Sequence, residues 1–264
     1  MGTWSTGHVP SFSCLIEGEN LQLFTIKIGN IVAEVQANHS YLKNICEPYF
    51  TTENVNCHIC IDKSSVENEL KSVYEIRNAT KLRPEDTAEW FLEVYALLHK
   101  LLPVLPEYDM LFIHGSAIRY RGKAYIFVAP SGTGKSTHTR FWRECYGDEV
   151  TVINDDKPFL AFRNDMVFLC GTPWRGKHNI GQNLEVELGG ICILSRGESN
   201  CICQIDPSDA VTEIIKQTNL HEYKDNVLPA LDLIDKLLKK VPVYRLSCTP
   251  TLEAVEVCSK AIIK

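Results

Sequence analysis

The stretch "AYIFVAPSGTGKSTHTRFW", Ala124 to Trp142, followed by "VTVINDDKPFL", Val150 to Leu160, decides how this chain is read. An apolar run, a loop with two glycines and Lys135-Ser136, and an amphipathic run predict strand, phosphate loop and helix in that order. "APSGTGKS" fits the phosphate-loop (Walker A) pattern with Ala129 in the first glycine position, while Gly132, Gly134, Lys135 and Ser136 hold the more demanding positions. Glycines let the backbone curl until successive N–H groups face one anion, and the helix that follows adds its positive end. Residues Ser131, Gly132, Thr133, Gly134, Lys135, Ser136 and Thr137 are therefore expected to hold a nucleotide, ATP. Lys135 supplies a point charge, and Ser136 offers its hydroxyl to a magnesium ion bridging the terminal phosphates. His138, in the first helical turn, is open to a solvent-facing, capping or substrate role.

The second stretch reads as a buried strand ending in Asp155 and Asp156. One acid at such a strand end holds Mg2+ opposite the loop serine; a second permits a division of labour in which one carboxylate accepts the proton of an attacking hydroxyl. Magnesium lowers a carboxylate's pKa, whereas burial and a neighbouring carboxylate raise it. His114, in "LFIHGSA", reads on position alone as a hydrogen-bonded core histidine.

Outward from these stretches, 264 residues suffice for a substantial core, and 45% hydrophobic with 23% charged residues places the chain among ordinary folded proteins. The net charge of -6 argues against nucleic acid as a partner, because that affinity rests on clustered Lys and Arg. No apolar run approaches a membrane span, no leader is visible at "MGTWSTGHVP", and its Met-Gly-x-x-x-Thr matches a Gly2 myristoylation signal only loosely. A cytoplasmic protein without a membrane partner is expected. Of the eleven cysteines, Cys14, Cys46, Cys145, Cys170, Cys192, Cys248 and Cys258 lie in apolar or alternating segments and read as buried thiols. Cys57-x-x-Cys60 flanks His58 but lacks a second ligand pair for zinc.

Residues 1–107 are expected to form a β-rich and helical N-terminal segment, and 108–264 the nucleotide-binding catalytic domain. Leu21 to Ala37 alternates about "IGN" as a hairpin, and Pro84 to Leu102 carries Trp90, Phe91, Val94, Tyr95, Leu97 and Leu98 at helical spacing. "LFIHGSAIRY" and "KAYIFVAP" read as paired strands, "GGICILSRG", "CICQID" and "VPVYRLSC" as further strands, and "SDAVTEIIKQT", "NVLPALDLIDKLLKK" and "TLEAVEVCSKAI" as helices.

Taken together, "HGSA", "SGTGKST" and "NDD" resemble the catalytic domain of the HPr kinase/phosphorylase family, related to phosphoenolpyruvate carboxykinase, over roughly Leu111 to Leu194. The resemblance implies an α/β fold, a mixed-sheet P-loop domain of that type with a β-rich N-terminal extension. It further implies His114 assisting Asp155 as general base, with Asp156 and Ser136 on the magnesium side and Asp155 close to the same ion. The parent family forms hexamers, so a homo-oligomer is a further expectation. The family's Glu-x-Arg-Gly stretch is altered here: "VELGGICIL" keeps Glu187 but has Gly189 where the arginine stands. "GTPWRGKHN" offers Arg175, Lys177 and His178 on a Gly-flanked loop, and Arg175 and Lys177 are candidates to stabilise the transferring phosphoryl group. The expected function is an ATP-dependent kinase acting on a hydroxyl acceptor, the Ser/Thr of a peptide or protein or a small metabolite. The alternatives are an ATP-binding regulator without phosphoryl transfer and, ranked below it, a carboxykinase-like lyase.

Overall fold

The computed structural model describes residues 21–77 and 87–263. Cys14, Gly2 and the Pro84 end of the expected helix lie outside the described residues. Strands β1 (Gln22–Ile28) and β2 (Ile31–Ala37) form the expected hairpin, paired Ile28 to Ile31 about Gly29-Asn30, with Gly29 at φ +56°. Helix α1 (Ser40–Cys46) follows, then β3 (Cys57–Cys60), parallel to β2, and helices α2 (Lys63–Arg77) and α3 (Glu89–Leu101). The α3 face Leu92, Val94, Ala96, Leu97, Leu98 and Leu101 is buried, as its 3.6-residue period requires. Glu93 is fully buried among them and accepts from the Asn38 and His39 backbone N–H groups, both at 2.9 Å, supplying the partners that a buried carboxylate needs.

The remaining strands are β4 (Met110–Phe112), β5 (Ser116–Tyr120), β6 (Lys123–Val128), β7 (Val150–Asn154), β8 (Phe159–Arg163), β9 (Met166–Cys170), β10 (Glu185–Arg196), β11 (Cys201–Ile205) and β12 (Val243–Cys248). They form one mixed sheet in the order β4-β8-β9-β10-β6-β5-β7, with β12 on β10 and β11 on β12. The chain is a mixed α/β protein. Helices α4 (Lys135–Tyr146), α5 (Pro207–Gln217), α6 (Val227–Lys240) and α7 (Leu252–Ile262) fall where hydrophobic periodicity places them. The β8–β9 hairpin is an addition to the sequence reading. Its turn, Asn164-Asp165, has both residues at positive φ, the type I′ geometry that Asn and Asp tolerate.

Strand β10 turns the sheet. Its first residues pair antiparallel with β9, its later ones parallel with β6 and β12, and the register shifts between Leu188 and Gly190. Gly189 occupies that bulge, where an added Cβ would lie 3.0 Å from the Lys123 Cβ and 3.2 Å from the Tyr125 ring. Glycine at this point is thus dictated by close packing. Neighbouring Glu187 is paired with Lys123 at 2.5 Å.

The three-stranded sheet and α3 share one apolar cluster with β4, β8, β9 and α6, so the N-terminal segment packs directly on the larger sheet. Polar ties reinforce the contact: Asn30 Nδ2 donates to the Tyr108 carbonyl at 2.8 Å and Asn183 Nδ2 to the Pro48 carbonyl at 2.7 Å. No disulfide joins the described cysteines; Cys46, Cys170, Cys192 and Cys258 are buried as read, whereas Cys145 and Cys248 are only partly buried, and Cys201 and Cys203 on β11 are exposed. Cys57 faces the core, while His58 points outward to Glu34 at 3.1 Å. Among the described residues, no helix is long and apolar enough to cross a membrane.

Candidate active site

The glycine loop after β6 and the acid pair after β7 meet because of strand order. Strands β6 and β7 both run antiparallel to β5, which lies between them, so their C-terminal ends open on the same edge of the sheet. Gly132 and Gly134, at φ +78° and +119°, allow the left-handed turns of the loop; neither would meet any atom if it carried a Cβ, so the requirement is conformational rather than steric. Helix α4 begins at Lys135, whose Nζ donates to the Ala129 carbonyl at 2.8 Å across the loop. Burial lowers the ammonium pKa, and the nearby charges of Asp156 and Asp155 oppose that shift.

After β7 the chain turns sharply about Asn154. This residue is fully buried: its Oδ1 accepts the backbone N–H groups of Asp156 and Lys157, both at 2.8 Å, and its Nδ2 donates to the Thr172 carbonyl at 3.1 Å. A register shift between β5 and β7 next to Asn154 helps to re-aim the segment. As a result two consecutive aspartates line one cavity, against the usual alternation of a strand. Asn154→Ala leaves two part-buried N–H groups without their acceptor, and a loss of about 2 kcal/mol is expected in urea unfolding.

Asp155 is buried, and its Oδ1 accepts from Ser116 Oγ at 2.7 Å; that hydroxyl also lies 3.0 Å from Thr139 Oγ1. Asp156 faces His114, with Nε2 3.4 Å from Oδ1, and also pairs with Lys157. Burial alone would raise the Asp156 pKa, but the His114 hydrogen bond and the Lys157 charge pull it down to about 2. The sequence reading joined His114 to Asp155, whereas the contact made is with Asp156. The bend at Asn154 turns the second acid, not the first, toward the segment between β4 and β5.

The cavity measures about 620 Å³ and is lined by the loop, both acids, His114, Lys177 and His178, with Val152 and Ile180 as its apolar part. Ser131, Gly132, Gly134, Lys135, Ser136 and Thr137 line it as expected, whereas Thr133 lines a second hollow on the other side of the loop. Gly176 brings the basic loop against the acids: a Cβ there would lie 3.4 Å from Asp155 Oδ2 and from Asp156 Cβ.

Two members of that loop, Trp174 and the candidate Arg175, are absent from the cavity lining. Trp174 is buried, donates Nε1 to the Val94 carbonyl at 2.7 Å and packs on Phe159, so it anchors the loop to α3. Arg175 does not line the cavity. Its stem lies over Gly181, its Nε is buried without a hydrogen-bond partner, and its guanidinium adjoins Tyr49, whose phenol burial pushes up to about 12 despite that charge. His138 is also a core residue, with Nε2 accepting from Trp142 Nε1 at 3.0 Å. Ser116, Asn154, Thr139, Arg140 and Arg143 went unnoticed in the sequence. Only Ser116 and Asn154 carried a signal, standing inside the quoted "HGSA" and "NDD".

Among the described residues, no three His, Cys, Asp or Glu side chains are grouped to hold a metal. One serine hydroxyl beside adjacent carboxylates nevertheless suits Mg2+, which binds through one or two carboxylates, phosphate oxygens and water.

No family model matches the chain, and no curated protein sequence matches it. Among solved structures, the Hpr(Ser) kinase/phosphatase from Coxiella burnetii is similar at a TM-score of 0.33 and 8% identity, over 55% of this chain and 90% of that one.

Proposed function

We propose that this chain is an ATP-dependent phosphotransferase acting on a hydroxyl group, in a P-loop domain of the HPr kinase type. The observation that carries the reading is the meeting of Lys135, Ser136, Asp155 and the His114–Asp156 pair on one cavity. Nucleotide binding alone has no use for a histidine–carboxylate pair beside the acid strand.

Ser136 and Asp155 would hold Mg2+, which when bound neutralises charge on the terminal phosphates. The loop N–H groups and Lys135 orient the donor. The acceptor oxygen forms a bond to the terminal phosphorus as the bond to the ADP oxygen breaks, and the hydroxyl proton passes to the His114–Asp156 pair. In that pair Asp156, held ionised by the His114 hydrogen bond and the Lys157 charge against the effect of burial, keeps the imidazole in place. The nucleoside end extends to the second hollow, about 440 Å³, between Phe141, Leu194, Arg196 and Pro250.

Lys177 lines the cavity beside the acids, and Lys177→Ala is expected to lower phosphoryl transfer by about 10²-fold or more, read as single-turnover transfer from labelled ATP. Arg175→Ala acts instead through loop position and shows first as a lower melting temperature. The reading itself is tested by incubating the protein with ATP, Mg2+ and a fractionated extract, with mass spectrometry for any species gaining one phosphate. Tight ATP binding without any phosphorylated species would favour the regulator.

A further inference from the structure

Beyond Ser136, helix α4 continues along the cavity wall. Ser136, Arg140 and Arg143 are spaced by four and three residues, which sets them in one row on one helix face, and all three line the cavity. At 1.5 Å per residue the two arginines stand roughly 6 and 10 Å along the axis from the serine. Lys177 and His178 of the basic loop line the same cavity, as do Val152 and Ile180. Past Arg143 the depression continues as a shallower groove of about 580 Å³ along the outer edge of β7.

Arg140, Arg143 and Lys177 thus place three cations in the lining of one cavity, with His178 beside them and Asp155 and Asp156 in the same lining, in a chain whose net charge is -6. Among the described residues, the side chains of Arg143, Lys177 and His178 have no hydrogen-bond or ion-pair partner. Arg140 pairs with Glu144 at 3.4 Å, both side chains about half exposed, and its guanidinium lies 5.1 Å from the centre of the Phe141 ring, contacts of little energetic weight on an exposed helix face. The donor does not account for this row. Its phosphates belong to the loop at the start of α4, and its nucleoside to the second hollow, which lies on the α4 face of Thr137 and Phe141. Cations gathered on one helix face attract ligands of the opposite sign, even though Asp155 and Asp156 line the same cavity.

We infer that the phosphoryl acceptor carries an anionic group of its own, a carboxylate or a phosphate, bound by Arg140 and Arg143 several ångströms from the reacting hydroxyl. This rests on the phosphotransferase reading and names the class of its substrate. Guanidinium groups suit both anions through paired N–H donors.

The test is calorimetric titration of the protein already saturated with Mg2+ and a non-hydrolysable ATP analogue, so that the phosphate loop is filled. The probes are glycerol 3-phosphate against glycerol, and a serine peptide flanked by Glu against the same peptide flanked by Gln. At least one charged probe is expected to bind at least tenfold more tightly than its neutral partner. The Arg140→Gln/Arg143→Gln double variant should abolish that preference, and Arg140→Lys/Arg143→Lys should restore most of it. Both arginines are exposed on the helix, so neither variant threatens the fold. The two pairs distinguish a phosphate from a carboxylate as the recognised group. Equal binding of charged and neutral probes, no binding of either charged probe, or a preference surviving in the Gln variant would each overturn the inference. Failure of the ATP analogue to bind in the first titration would instead remove the phosphotransferase reading beneath it.

Discussion

Asp155→Asn is expected to reduce phosphoryl transfer by about 10³-fold or more while leaving the fold intact and the nucleotide bound. Cations at a transferring phosphoryl group contribute on that scale, and the carboxylate holds the one proposed here. The amide keeps the side chain's size and still offers an oxygen to Ser116 Oγ, which now donates at 2.7 Å, so what is lost is charge. Because Asp155 is buried, solvent supplies no substitute. Transfer is read as labelled product per enzyme in a single turnover, and binding by titration with the non-hydrolysable analogue. Turnover within tenfold of the unaltered protein would exclude Asp155 from the chemistry and leave nucleotide binding as the site's task. His114→Ala separates the roles further: a loss of about 10²-fold with unchanged affinity for Mg2+ and nucleotide is the signature of a proton acceptor.

Folding stability is expected to fall by about 3 kcal/mol between pH 6.5 and pH 4 through His138 alone. Burial lowers the His138 pKa from 6.5 to about 4, and its Nε2 lone pair is already engaged by the Trp142 indole N–H. The unfolded chain takes up the proton from about pH 6.5 downward, whereas the folded chain resists until about pH 4. Acid therefore favours the unfolded state throughout that window. Denaturant unfolding at several pH values measures the slope, and His138→Gln, which keeps an acceptor but does not titrate, should remove most of it. His99 acts in the opposite sense. Burial alone would lower its pKa, but the hydrogen bond and charge of Glu69 at 2.7 Å raise it, so its contribution is complete below pH 6.5 and lost as the pH rises. Asp156, depressed to about 2, adds stability that is lost only as the pH falls from about 4 to 2. A slope unchanged by His138→Gln would show that this imidazole does not remain neutral in the fold.

Much of the fold was legible because its signals are local. The β1–β2 hairpin follows from alternation about Gly29, and α3, α5, α6 and α7 from 3.6-residue periodicity. The β8–β9 hairpin escaped because its apolar runs are short and its Asn164-Asp165 turn lacks glycine. In the candidate site the loop residues were readable from their required backbone geometry, and the acids from their place at a strand end. Arg175 was misplaced because a basic residue beside glycine looks alike whether it faces a cavity or, as here, Tyr49.

The sequence by itself determined the glycine loop, the adjacent acids and the helical and strand segments, since each depends on residues within about twenty positions of one another. Only the tertiary structure decided that His114 meets Asp156, that Asn154 ties the acids to the 171–176 loop, and that Arg140 and Arg143 share a wall with Lys177 and His178. Those contacts join segments tens of residues apart, and the strand order and the bend after β7 that create them are written in no single stretch of the chain.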